Sequence, residues 1–297
     1  MQKRQFPKQN YKAVFDPITG ETLRFRFDNN KPIGRLAYPE ILDISLGTKC
    51  LGHCSYCYAN SDSEGLLYED CVGKIKNWFG RMSENERPFQ VAIGGGGEPT
   101  LHPEFISILI SFKGLGIVPN YTTNGMHLTP RILEATSKYC GGVAVSCHEH
   151  LLPHWIKAVE TFYSMGIKVS LHVMIGHRRG SVAQFWAIYD RYVNMVSNFV
   201  LLPYQAIGRG ETTCFTDLEL GFLLDTLLLR KPKKVAFGAL LYETLKSRPD
   251  ICEALDIAIY EPEVMSGYVK LDTVDLIIRK SSFDPTPIGE RHEMCKV

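Results

Sequence analysis

From Glu40 onward, short apolar β-rich runs alternate with stretches whose apolar residues recur every three or four positions. The runs are Glu40–Leu46, Gln90–Ile93, Ile117–Tyr121, Gly142–Val145, Lys168–Met174 and Asn198–Leu202, and the last five begin 25 to 30 residues apart. Between them, Gly65–Met82, Pro103–Lys113, Pro130–Tyr139, Pro153–Met165 and Val182–Val196 carry helical spacing. Three of these open on proline, whose missing N–H is harmless in a first helical turn. Such regular alternation makes βαβ units and a parallel sheet. Right-handed crossovers then allow either an open doubly wound sheet or a barrel.

The ends break this rhythm. Residues 1–10 read as a loose arm, and Tyr11–Phe27 as a hairpin turning at Asp16-Pro17-Ile18-Thr19-Gly20. Beyond residue 212, Thr216–Leu229 and Ala239–Lys246 read as helices. Leu255–Tyr260 and Tyr268–Arg279 read as a closing strand pair, followed by a polar tail. Three stretches result: an arm and hairpin over 1–36, an α/β core over 37–212, and a C-terminal extension packed on the core over 213–297.

Composition narrows the class. Of 297 residues, 45% are hydrophobic and 22% charged, which supports a sizeable buried core. The formal charge of +1 supplies no general attraction for a polynucleotide. No apolar run reaches membrane-spanning length, and MQKRQFPKQNYK lacks the apolar heart of a signal peptide. Nine cysteines, three clustered and six scattered, are too few for a disulfide scaffold and point to a reducing, cytoplasmic setting.

The clustered cysteines carry the chemistry. Cys50, Cys54 and Cys57 form a C-x3-C-x2-C loop directly after the first strand. Three neighbouring thiolates suit zinc, copper(I) or an iron–sulfur cluster, and no second knuckle completes a usual zinc site. The other strand ends are polar or glycine-rich: Gly94–Thr100, Thr122–Gly125, Ser146–Glu149, Gly176 after His172, and Ile207–Gly210. In parallel α/β folds, ligand sites gather at these carboxyl ends. Glycines 94–97 allow close backbone approach to a ligand, or make only a tight turn. Arg209 reads as a surface side chain or as a clamp for a carboxylate or phosphate. Cys71 and Cys140 read as core packing.

With Tyr56 before the third cysteine and Gly96-Gly97-Glu98 after the second strand, residues of Glu40–Gly210 resemble the radical S-adenosylmethionine superfamily. The resemblance implies a partial (β/α)6 TIM-like barrel, here with an N-terminal β-hairpin and a short C-terminal α+β extension. It implies a [4Fe–4S] cluster on Cys50, Cys54 and Cys57 that binds S-adenosylmethionine at its open iron and cleaves it reductively. The 5′-deoxyadenosyl radical then abstracts hydrogen from a substrate. By the same likeness, Tyr56 meets the adenine and Gly96, Gly97 and Glu98 meet the methionyl ammonium. Thr123 and Asn124 lie near the methionyl end, Ser146 near the ribose or carboxylate, and Leu202 beside the adenine. His172 stands where many relatives carry asparagine, and is either a cofactor contact or an interior histidine. The family also implies a reductant such as flavodoxin or ferredoxin. Cys214 and Cys295 are candidate hydrogen donors, as in radical epimerases. The later cysteines lack a C-x2-C pair that would suggest an auxiliary cluster. The substrate expected is a peptide or protein side chain, through maturation, epimerisation or cross-linking. A nucleotide or RNA base is the alternative, and a non-catalytic zinc scaffold is the alternative of another class.

Overall fold

The computed structural model describes residues 1–210, 215–257, 265–284 and 286–288, so Cys214 and Cys295 lie outside the described residues. A three-stranded antiparallel sheet opens the chain: β1 (Gln2–Phe6), β2 (Tyr11–Phe15) and β3 (Thr22–Phe25). The expected hairpin is therefore present. The arm before it is not loose but forms β1, because long-range contacts hold it. The Arg4 guanidinium is 1% exposed and donates to the carbonyls of Pro39, Tyr38, Asn85 and Glu86, between the rings of Phe6 and Phe89.

The main sheet has eight parallel strands. They are β4 (Ile41–Ser45), β5 (Gln90–Ile93), β6 (Val118–Thr123), β7 (Val143–Ser146), β8 (Val169–Ile175), β9 (Asn198–Pro203), β10 (Val235–Phe237) and β11 (Ser266–Lys270). Their spatial order is β10-β9-β8-β7-β6-β5-β4-β11, and the sheet curls into a half-barrel. The six expected core strands are its centre. The C-terminal extension adds β10 beside β9 and β11 beside β4, one strand at each edge. The expected strand over Tyr268–Arg279 is thus shorter and begins earlier. Leu255–Ile257 is a turn, and the rest of the other expected strand lies outside the described residues.

Five helices link the core strands: α1 (Cys71–Arg81), α2 (Phe105–Gly114), α3 (Pro130–Tyr139), α4 (Leu152–Ser164) and α5 (Ser181–Tyr192). Three more follow: α6 (Thr216–Arg230), α7 (Tyr242–Lys246) and α8 (Pro249–Ala254). None of the described helices is long and apolar enough to cross a membrane. Alternate strand residues such as Leu42, Ile44, Val91, Ile93, Val145 and Leu171 pack in one core with Ile75, Phe105, Ile108 and Phe162 of the helices. The intervening residues face the other way, into the hollow of the half-barrel. Many are small or polar: Asp43, Ala92, Asn120, Thr122, Ala144, Ser170 and His172, all half-buried or exposed. Parallel sheets are usually apolar on both faces. This one is continuously apolar only toward its helices, and on the lumen face polar residues are mixed with apolar ones such as Met174, Val200 and Leu202.

The N-terminal sheet closes the bottom of that half-barrel. Ala13 and Phe15 pack on Phe89 and Val118, at the starts of β5 and β6. Glu40, just before β4, accepts from Tyr11 Oη at 2.7 Å and from Arg24. The open end is therefore the carboxyl end of the strands.

Glu219 of α6 couples the extension to the core. Its carboxylate accepts from Gly180 N at 2.7 Å, Val182 N at 2.8 Å and Ser181 Oγ at 2.9 Å, at the start of α5. Burial alone raises this carboxyl, but the N–H groups and the hydroxyl outweigh it and hold it below its ordinary 4.5. A group depressed on folding stabilises the fold above its unfolded pKa, and that contribution is lost as pH falls through the lower folded value. Glu219→Gln is expected to cost about 1–3 kcal/mol at pH 7, read from urea midpoints. The deficit should shrink as pH drops below the ordinary carboxylate range. A deficit equal at both ends of that range would refute this role.

Candidate active site

The segment after β4 runs outward and returns along itself. Cys50 N donates to Asp62 O at 2.7 Å, Thr48 N to Leu66 O at 2.7 Å, and Tyr68 N to Leu46 O at 2.9 Å. This tie makes Cys50–Asp62 a closed loop at the sheet rim and confines the three thiols to it. His53 and Asn60 take left-handed backbone conformations within it, at φ 48° and 53°. Cys50, Cys54 and Cys57 lie close enough to feel one another's charge. Burial pushes the Cys50 and Cys54 thiols up, Cys54 to about 12. Opposing that, Cys50 Sγ accepts from Gly52 N at 3.3 Å and Asn124 Nδ2 at 3.6 Å, and Cys54 feels the Arg209 charge.

The glycine run faces this loop. Gly97 N donates to Gly47 O at 2.8 Å and Glu98 N to Lys49 O at 2.7 Å. A Cβ on Gly97 would stand 2.2 Å from Lys49 O, and one on Gly96 2.4 Å from Gly47 O. Both glycines are therefore required for backbone-to-backbone packing against the cysteine loop. Glu98 is 5% exposed and committed: Oε1 accepts from Thr100 Oγ1 and Thr123 Oγ1, and Oε2 from Asn124 N. Burial raises its carboxyl although these donors oppose it. The arrangement fixes Asn124 so that its amide reaches Cys50.

Arg209 neither lies free nor awaits a phosphate. Its Nε and Nη2 donate to Cys54 O, and Nη2 also donates to Ser61 O at 2.7 Å. Its backbone N–H donates to Cys57 O at 3.0 Å. Gly208, at φ 63°, leaves room for this, since a Cβ there would meet the carbonyls of Cys57 and Tyr58. The loop after β9 thus clamps the loop after β4.

Tyr56 lies among histidines the sequence reading did not single out. Its hydroxyl shares a hydrogen bond with His148 Nδ1 at 3.2 Å, and its ring lies 5.4 Å from His177 and 6.2 Å from His150. Burial pushes His148 down to about 4, so its imidazole is neutral. His150 Nε2 donates to Gly52 O within the cysteine loop. Ser146 and His172 are register partners on β7 and β8. His172 is enclosed, held to about 4 by burial, and neutral. Leu202 is half-buried on β9, against Gly238 after β10. Tyr268, also unforeseen, donates to Gly95 O at 3.1 Å, and Tyr58 packs on Phe283 with ring centroids 4.6 Å apart at a tilt of 38°. These aromatic contacts join the extension to the rim across long sequence separations, which periodicity does not reveal.

The three thiols suit a cluster better than a single zinc. Zinc–sulfur bonds of about 2.3 Å place tetrahedral ligands roughly 4 Å apart. Among the described residues, the trio of donors within 4.8 Å is Cys71, His102 and Glu104; Cys50, Cys54 and Cys57 do not form such a trio. The Cys71 group is already satisfied. His102 Nδ1 accepts from Glu104 N, its Nε2 donates to Tyr68 O, and Glu104 accepts from Cys71 N at the start of α1. Cys147 is buried in the core, its thiol pushed well up by burial.

Residues 44–149 match the model of the radical SAM superfamily. A 95-residue stretch is 30% identical to the tungsten-containing aldehyde ferredoxin oxidoreductase cofactor-modifying protein of Pyrococcus furiosus, covering 31% of this chain and 26% of that protein. The fold is similar to Streptococcus suis SuiB bound to precursor peptide SuiA: TM-score 0.62, 17% identity, 84% of this chain and 61% of that one. It is also similar to anSMEcpe with bound AdoMet and a peptide: TM-score 0.56, 13% identity, 82% of this chain and 74% of that one. The chain thus spans about a quarter of the curated relative and about three-fifths of SuiB.

Arg209→Ala is expected to loosen the cysteine loop while the sheet stays folded. Hydrogen bonds from a charged donor contribute about 1.5–3 kcal/mol. Iron retained after anaerobic reconstitution and gel filtration should fall several-fold, with little change in circular dichroism. Arg209→Lys should not restore it, because an ammonium lacks the planar fork. Wild-type iron in the alanine variant would remove Arg209 from this role.

Proposed function

We propose that the chain is an enzyme of the radical SAM superfamily, whose model matches residues 44–149, and that it cleaves S-adenosylmethionine reductively and modifies a peptide or protein side chain. The observation that carries this reading is the thiol loop at the first core strand's carboxyl end, clamped by Arg209 and hydrogen-bonded through Asn124. Cys50, Cys54 and Cys57 would hold a [4Fe–4S] cluster, which supplies the electron for S–C5′ cleavage and thereby a 5′-deoxyadenosyl radical. The chain's own residues position and exclude. Asn124 Nδ2–H and Gly52 N–H point at Cys50 Sγ and stabilise negative charge there. Glu98 acts as a positioning residue, by orienting Thr123 and Asn124. The methionyl end of the cofactor is assigned to the rim formed by Gly96, Gly97, Thr123 and Asn124, and its ribose to Ser146. The adenine is assigned between Tyr56 and Leu202, with His172 beneath.

Two facts support a peptide substrate. The lumen is open at the cysteine-loop end and closed at the other. SuiB and anSMEcpe, whose fold this chain resembles, have been captured with peptides. A flavodoxin or ferredoxin is the proposed electron donor. Anaerobic reconstitution should give about four irons and four sulfides per chain, with the broad visible absorption of an iron–sulfur protein. With a strong reductant, S-adenosylmethionine should yield 5′-deoxyadenosine, and Cys54→Ala should abolish this. A colourless protein holding one zinc, or a Cys54→Ala variant that still cleaves, would overturn the reading.

A further inference from the structure

Asp43 occupies the middle of β4, a position where strands disfavour aspartate. Its neighbours Leu42 and Ile44 are buried against the helices, so its side chain faces the lumen. Water reaches it there, although sheet surrounds it, and this enclosure pushes its carboxyl up to about 6. Among the described residues no cation is near enough to oppose the shift. Among the described residues its carboxylate has no hydrogen-bond or ion-pair partner. Glu98, by contrast, is enclosed but fully hydrogen-bonded. Among the described residues Asp43 is therefore a lumen charge without a partner, and the residues beside it on the sheet are neutral: Ala92 and Asn120 share its row, with Ser45 and Thr122 one step nearer the rim.

We infer that the substrate places a cationic side-chain terminus, the ammonium of a lysine or the guanidinium of an arginine, on Asp43 inside the lumen. This rests on the peptide reading above. In the lumen only water solvates this carboxylate, and an N–H-bearing cation supplies both charge and donors. Reach agrees. Ser45 Oγ lies at the rim, within 3.2 Å of Gly47 O. Asp43 lies two residues deeper, roughly 7 Å at strand spacing. A lysine's four-carbon stem spans about 6 Å. The peptide backbone would stay at the rim, beside the cysteine loop, while the side-chain tip rests on Asp43. Tyr58 and Tyr268 lie close enough to feel the Asp43 charge, and so border the same space.

The probes are two capped tripeptides, acetyl-Gly-Lys-Gly-amide and its norleucine analogue, titrated calorimetrically into the anaerobically reconstituted full chain with S-adenosylmethionine. The lysine peptide should bind the wild type at least tenfold more tightly than the norleucine peptide. Asp43→Asn should abolish that preference, and Asp43→Glu should retain part of it. Asp43→Asn should melt no lower than wild type, since it removes an unpartnered charge, so lost binding will not reflect misfolding. Equal affinity for the two peptides, a preference that survives Asp43→Asn, or no binding of either at millimolar concentration would overturn the inference. The reading beneath it is judged separately, by 5′-deoxyadenosine formation in the wild type without peptide.

Discussion

The cysteine loop can sit where it does only because two consecutive backbones touch it with nothing between. Gly96 and Gly97 approach Gly47 and Lys49 so closely that a single methyl carbon on either would overlap a carbonyl oxygen. Gly97 N and Glu98 N donate to those carbonyls, and this seats the start of the loop on the end of β5. The Glu98 carboxylate then turns inward and fixes Thr123 and Asn124, and the Asn124 amide reaches Cys50. Three strand ends are thereby locked into one rim through hydrogen bonds that lack slack. The glycines are needed first for protein packing, and only through it for a cofactor.

Much of this was legible because it is local. Strand–helix alternation is a one-dimensional signal, and the six core strands and four of the five helices between them stand where periodicity puts them; α1 begins at Cys71 rather than near Gly65, because the preceding residues pair back along the end of β4. The cysteine spacing and the polar strand ends were legible for the same reason. The parts that periodicity missed are held by distant partners. β1 exists because Arg4 reaches carbonyls near residues 38 and 86. Arg209 looked like a surface or anion-binding side chain, since nothing nearby in sequence discloses the carbonyls of Cys54 and Ser61. β10 and β11 are short and take their strand character from the edges they join. His148 and His150 follow β7 while His177 follows β8, and only the fold gathers all three around Tyr56.

The sheet also shows a division of labour between its faces. Toward the helices it is continuous hydrocarbon, which carries the stability of the fold. Toward the lumen it gives up much of that contribution, placing hydroxyls, amides and a carboxylate among the apolar residues there. A chain selected for stability alone would fill this hollow with valine and isoleucine, as closed barrels do. Its polarity is the kind of local cost that folds carry where they work.

The Arg209 clamp has a consequence in time as well as in space. Its partners at Cys54 and Ser61 lie 155 and 148 residues earlier in the chain. During synthesis, the thiols therefore emerge long before the side chain that immobilises them. Contacts between such distant residues form late in folding, once the intervening loops have been closed. The nascent cysteine loop is thus an open, oxidisable segment, and metal delivered to it early would meet an unformed site. A cluster held by these thiols would enter the finished chain, after β9 has docked and the last wall of the rim has arrived.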